Sequence, residues 1–236
     1  MIINFLKKIY YSKYTKKSYS ISNVDLIIDR MFANKKSGNF IDLGCNHPIK
    51  FNNTYLLYKR GWRGLNIDLD ETSINEFNKI RKFDFNVQAL ISNSSNQSKK
   101  VYFYHKRSAI NTVSDQIIKY RKSKKSDYKI IEQKTKTLNE IIDNSPLKDK
   151  NIDLLSIDIE NHEYEVLENF DFKKYKIDVI VTECHDLGQN KLEIYNQNIE
   201  NIINNKLYNH LVSNNYKLIN WVNSDLIFVR KNFNLS

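Results

Sequence analysis

Short apolar runs recur along this chain, most of them carrying an acid near the end. "NFIDLGCN" (39–46), "GLNID" (64–68), "VQALIS" (87–92), "IDLLSID" (152–158) and "IDVIVTEC" (177–184) are too short for helices. Bounded by polar and turn residues, they predict buried strands. Helical periodicity fills the gaps between them, in "NNTYLLYKRGW" (52–62), "ETSINEFNKIRKF" (71–83), "KTLNEIID" (136–143) and "HEYEVLENF" (162–170). Asn52 or Asn53 is placed to cap the first of these helices and Gly61 to stop it. Strands that alternate with helices predict an α/β fold with a parallel sheet and crossover helices.

The flanks and the middle are less regular. Residues 1–37 read as a helical extension, with "VDLIIDRMF" (24–32) its best amphipathic piece. "KKVYFYH" (99–105) alternates like an edge strand, and "SAINTVSDQIIKYRKSKKSDYK" (108–129) reads as loop, helix and polar surface. Residues 191–213 read as helical, and "YKLINWVNSDLIFVR" (216–230) as two strands in an antiparallel hairpin that closes the sheet. No linker or repeat interrupts the chain, so one domain is expected over 1–236, with its core at 38–236.

Composition narrows the class. With 236 residues, 41% apolar and 27% charged, the chain is long enough for one large core. Five Gly and two Pro argue against turn-rich sandwiches and repeats. Cys45 and Cys184, the two cysteines, form neither a zinc pattern nor a disulfide framework. The absence of a membrane-length apolar run and of a signal pattern leads to a cytoplasmic expectation. The formal charge of +10 admits nucleic acid, anionic lipid or acidic glycan as partners. The densest basic runs interleave Tyr with Lys at 7–17 and 119–129.

In an open parallel sheet, ligands bind beyond the carboxyl ends of the strands. Those ends carry Asp42, Gly44, Cys45, Asn46 and His47; then Asp68; then Asp158, Glu160 and His162; then Glu183 and His185. Gly44 permits close approach to a ligand, and Asp68, 24 residues later, is placed to accept ribose hydroxyls. The single glycine of "DLGCNHPIKF" does not make a dinucleotide fingerprint, and the leading acid disfavours phosphate. A cationic or zwitterionic nucleoside such as S-adenosylmethionine suits the turn better.

Three stretches then carry a resemblance. "FIDLGCNHPIKFNNTYLLYKRGWRGLNIDLD", "VQALIS" with "INTVSD", and "TLNEIIDNSPLKDKNIDLLSIDIENHEYEVLENFDFKKYKIDVIVTE" resemble the FkbM-type methyltransferases, over roughly residues 38 to 230. One departure is Asn161, where that family usually has Gly. The resemblance implies a Rossmann-like class I methyltransferase fold, with a mostly parallel seven-stranded sheet and helices on both faces. It also implies S-adenosylmethionine as methyl donor and a hydroxyl of a small molecule, sugar or glycan as acceptor.

On that footing Asp42, Gly44, Cys45 and Asn46 are expected at the amino-acid end of the cofactor. Asp68 is expected at the ribose, Leu69, Ala89 and Leu90 around the adenine, and Asp158 near the methyl group. Asp158, Glu160 and His162 are the catalytic candidates, with His162 the first choice for the base. The same histidine is also placed to cap the following helix. His47, Glu183 and His185 are candidates for substrate contact, and Asp158 with Glu183 for Mg²⁺ or a shared proton. Lys106 and Arg107 are placed to draw in an acidic acceptor. A ribose methyltransferase of nucleic acid and a non-catalytic nucleoside-binding module are the competing readings. "DIENHE" lacks the Pro-Pro-aromatic turn that holds an extruded base, and no DNA-binding motif is present.

Overall fold

Alternation along the strands sorts their side chains onto two faces. The computed structural model describes Tyr11, residues 15–184 and residues 199–233. In chain order its strands are β1 (Asn39–Leu43), β2 (Arg63–Asp68), β3 (Phe85–Gln88), β4 (Leu90–Ile91) and β5 (Ser98–Phe103). They continue with β6 (Lys129–Lys136), β7 (Ile152–Ile157), β8 (Ile177–Glu183), β9 (Tyr216–Val222) and β10 (Asp225–Arg230). Phe40, Val179, Val181, Ile227 and Val229 pack on one face. Their neighbours Ile41, Leu43, Ile180, Leu226 and Phe228 pack on the other. Period two therefore supplies both faces of a two-sided core.

Helices cover each face with a matching apolar stripe. The first face takes α1 (Val24–Met31) and α2 (Tyr55–Lys59), through Val24, Ile28, Met31 and Leu57, with Trp62 buried beside them. Next comes α3 (Glu71–Ile80), capped by Asp70, whose carboxylate accepts from Thr72 N at 2.8 Å. It is followed by α4 (Asp115–Tyr120) and α5 (Leu138–Asp143). The second face takes α5, α6 (Glu163–Glu168) and, after α7 (Ile199–Ile203), α8 (Lys206–Ser213).

The main sheet has seven strands in the order β3-β2-β1-β7-β8-β10-β9. Every pairing is parallel except those of β10, which runs antiparallel to both β8 and β9. This is the Rossmann-like class I methyltransferase architecture expected from the sequence. The chain winds outward from β1 to β3, then returns to the other side of β1 with β7. The gap between β1 and β7 is thus the switch point at which such sheets open a ligand crevice.

A second, three-stranded sheet departs from expectation. The single strand predicted over 87–92 divides at Ala89, whose N–H makes the last bond to β2, at Asp68 O. Leu90–Ile91 leaves the main sheet and pairs with β6, and β6 pairs antiparallel with β5. Strand β6 lies in "KIIEQKTK", where Thr135 alone is buried, so no apolar alternation announced it. Pairing with β5 decides its conformation. Two smaller corrections concern helices. Thr54 rather than Asn52 or Asn53 precedes α2, and residues 15–23 of the predicted N-terminal extension are not helical.

One buried cation holds the region beneath β1. Arg81 is fully buried at the end of α3. It donates to Pro48 O at 2.9 Å, Thr54 Oγ1 at 2.7 Å and Asn52 Oδ1 at 2.5 Å. Asp84 lies 3.9 Å away, and Asp42 accepts from Asn52 Nδ2 and Thr54 Oγ1 in the same network. Removing one partner of such a cluster strands the rest without water. Arg81→Met is therefore expected to cost about 3–5 kcal/mol, read as a lower urea midpoint with an unchanged m-value.

Candidate active site

Strand register builds the site as a row. Leu43 is paired with Ile67 on one side and with Ile157 on the other, and Ile157 with Thr182. One residue further on, Gly44, Asp68, Asp158 and Glu183 stand side by side at the strand tips. Asp225 of β10 pairs with Glu183 and extends the row. Gly44 is required there. Its φ is +79°, and a Cβ would sit 1.8 Å from the Asp158 carbonyl oxygen. Its N–H and that of Cys45 both bond Ile67 O, at 2.9 and 3.2 Å, which sews the turn to β2.

A cavity opens over this row. Its empty space, counted out to open solvent, is about 850 Å³. Gly44, Asn46, Asp68, Leu69, Ala89 and Leu90 line one part. Asp158, Glu160 and His162 line another, and the loop Ser108–Val113 closes a side. Ile21 and Phe51, both mostly exposed, stand at the rim.

Asp68 accepts from Asn46 N at 2.9 Å and from Asp70 N at 2.8 Å, one bond to each carboxylate oxygen. Burial pushes its pKa up to about 6, against the lowering effect of those two bonds. The wall beside it is apolar, from Leu69, Ala89 and Leu90. A carboxylate with remaining lone pairs next to an apolar slot suits the ribose and base of a nucleoside. The residues present therefore fit S-adenosylmethionine, with Gly44 leaving backbone space where a side chain would intrude.

Three expected contacts in β1 and its turn do not line the cavity, and neither does Glu183. Asp42 points into the Arg81 network on the opposite side of β1, and burial raises its pKa despite Arg81. Cys45 packs against Ile74 and Phe77, and burial pushes its thiol well up. His47 Nδ1 accepts from Ile49 N and Lys50 N, both at 3.0 Å, so its ring orders its own turn. In β1 and its turn, sequence proximity to Gly44 suggested ligand contact, but strand alternation sends these side chains elsewhere. His185 lies outside the described residues.

The β7 tip collects acids. Asp158 is open to the cavity, and its carboxyl lies beside that of Glu183. Shielding from bulk water holds the Asp158 pKa well above the ordinary carboxylate range, and the charges of Glu183, Glu160 and Asp225 add to the effect. Glu183 also accepts from Ser224 Oγ at 3.2 Å. Oxygens of Asp158, Glu160 and Glu183 lie within 4.8 Å of one another. Glu160 is ion-paired with Arg121 at 2.5 Å.

His162 lines the cavity but is held neutral. Burial, helped by the charge of Lys99, lowers its pKa to about 4. Its Nε2 lies 3.2 Å from Ser92 Oγ, and its side chain does not cap α6. The turn before it is doubly left-handed, with φ +60° at Glu160 and +68° at Asn161. Asn161 bonds Ser114 Oγ and Gln116 Oε1, both at 3.2 Å, so the conformation survives without glycine. Thr112 Oγ1 donates to Glu160 O at 3.0 Å and docks the 108–113 loop on this turn. "INTVSD" had been marked by the family resemblance alone, without a role. For Arg121, Ile21 and Phe51 the sequence offered no signal.

A search of curated proteins found no match. Among solved structures, monomeric WbdD aligns with a TM-score of 0.43 at 12% identity, over 94% of this chain. This chain spans 44% of the WbdD chain, less than half. A TehB-like methyltransferase from Corynebacterium glutamicum aligns at TM-score 0.42 and 13% identity, over 97% of both chains. A protein assigned to the type 11 methyltransferases of Sulfolobus solfataricus aligns at TM-score 0.42 and 13% identity, over 91% of this chain and 95% of its own. The model of the methyltransferase FkbM domain matches residues 33–210, which take in the tips of β1, β2, β7 and β8 and the cavity loop, and the chain therefore belongs to the FkbM methyltransferase family.

Proposed function

We propose that this methyltransferase transfers the methyl group of S-adenosylmethionine to a hydroxyl oxygen of a small molecule or sugar. The observation that carries the reading is the row itself, in which a turn with no room for a Cβ, the Asp68 carboxylate and the neighbouring Asp158 and Glu183 carboxyls meet at one switch point. Asp68 would bind the ribose, Leu69, Ala89 and Leu90 the adenine, and Gly44 with the Asn46 backbone the amino-acid end. Bound there, the cofactor supplies a methyl group made electrophilic by its sulfonium.

The chain's own task is to align the acceptor and remove its proton. Asp158 is the better base than His162. A pKa near 4 leaves the imidazole a weak acceptor at neutral pH. Desolvation and the neighbouring acids raise the Asp158 pKa, so its carboxylate is the stronger proton acceptor of the two. His162 then shapes the wall through Ser92. Asp158 and Glu183, with Glu160, offer an oxygen-only donor set suited to Mg²⁺. The Arg121 pair already offsets the charge of Glu160, so Mg²⁺ is an addition that titration tests. The non-catalytic reading rested on Asn161, which keeps the left-handed turn.

Calorimetric titration with S-adenosylhomocysteine, with and without Mg²⁺, is the direct test. Micromolar affinity is expected, and absence of binding by the folded protein sinks the proposal. The affinity should fall as pH drops through about 6, because protonation of Asp68 removes its acceptor character. Asp68→Asn should flatten that dependence. Gly44→Ala should abolish binding and destabilise the fold by more than about 1 kcal/mol, since it adds a left-handed Cβ and a backbone clash. Once an acceptor is in hand, Asp158→Asn should lower kcat by about 10²–10⁴ with homocysteine-product affinity nearly kept. His162→Gln should cost under about tenfold; the reverse ranking would return the base to His162.

A further inference from the structure

The positive charge of this chain is concentrated in one segment, which carries the loop that closes a side of the cavity. Between Lys99 and Lys136 there are twelve Lys and Arg against three Asp and Glu, a net +9 of the chain's +10. The remainder of the chain is close to neutral. This segment comprises most of β5, the 108–113 cavity loop, α4, the turn after it and β6. A general drift towards lysine would spread the excess over the whole surface.

The few acids of the segment do not neutralise it. Asp115 pairs with Lys100 and accepts from Tyr102. Asp127 accepts from Lys124 N within its own turn, and Glu132 from Ser98 Oγ. Among the described residues no acid lies within ion-pair distance of Lys99, Lys106, Lys122, Lys124, Lys125 or Lys134. Two observations join this charge to the cavity. Arg121, at the start of the basic turn, donates to Ile110 O at the cavity loop and pairs with Glu160 inside. Lys99 acts on His162 of the cavity wall.

Resting on the methyltransferase reading, we infer that the acceptor is an oxyanion-bearing saccharide, held by the lysines of this cap while one of its hydroxyls reaches Asp158. Carboxylate and phosphate share the recognising chemistry, a focused positive field at a cavity mouth. Single-stranded nucleic acid fits less well. It needs exposed aromatic platforms for stacking, whereas Tyr102, Tyr104 and Tyr128 of the cap pack edge-on against one another.

The full chain, loaded with S-adenosylhomocysteine, would be titrated with an oligogalacturonate, a glycerol-phosphate oligomer, a neutral maltooligosaccharide and a single-stranded RNA. Binding of at least one anionic saccharide, weakened by salt and stronger than that of the neutral one, is expected; the better of the two identifies carboxylate or phosphate. The exposed triple change Lys122→Glu, Lys124→Glu and Lys125→Glu should weaken it by about tenfold or more while homocysteine-product affinity and thermal midpoint stay unchanged. Equal binding of the neutral saccharide, no binding of either anionic one, an unaffected triple variant, or preference for RNA would each overturn the inference. Loss of S-adenosylhomocysteine binding by the wild-type chain would instead strike the reading on which it rests.

Discussion

The missing side chain at position 44 is the constraint on which the site depends. The tip of β1 presses against the Asp158 carbonyl so closely that even a methyl group has no room. That approach allows four strand tips to end in register, with Asp68, Asp158 and Glu183 in one line. Desolvation and mutual repulsion then follow from the geometry, and they raise the pKa of both Asp68 and Asp158. The electrostatics of the site are thus a consequence of backbone packing at the switch point.

Much of the segment that resembles the family serves the scaffold. Asp42, Asn52 and Thr54 face Arg81 beneath the sheet, and His47 fastens its own turn. A buried cation with several acceptors contributes little net stability compared with apolar packing. It does specify one arrangement of the chain between β1 and α2, because every alternative leaves a charge or an amide without a partner. The Gly44 turn is held in place by that arrangement on one side and by Ile67 O on the other.

The cavity cover is built on different terms. Strand β6 buries almost nothing, and the loop at 108–113 is fixed by a few hydrogen bonds to the β7 turn. Loops and edges of this kind vary readily while the sheet beneath stays constant. Such a division lets the cover change while the strand tips beneath it stay fixed. It also explains why the charge excess resides in the cover, where a surface lysine has no core to disrupt.

The main sheet was legible in the sequence because its strands are buried on both faces and so read as apolar runs with acids at their ends. Gly44, Asp68 and Asp158 were legible for the same reason, since each follows directly on such a run. The small sheet was not, because "KIIEQKTK" shows no burial pattern of its own and adopts its shape only against β5. Nor could sequence spacing tell which side of β1 a residue faces, so Asp42, Cys45 and His47 were placed at the ligand when they belong to the scaffold. The order of roles between His162 and Asp158 likewise needed the fold. Chain order puts them four residues apart with similar chemistry, but a pKa depends on burial and neighbouring charge. By itself the sequence determined the strands, their alternation with helices and the acids at their tips. Only the tertiary structure decided which tips align, which carboxyls are brought side by side and what covers them, because those depend on contacts between residues far apart in the chain.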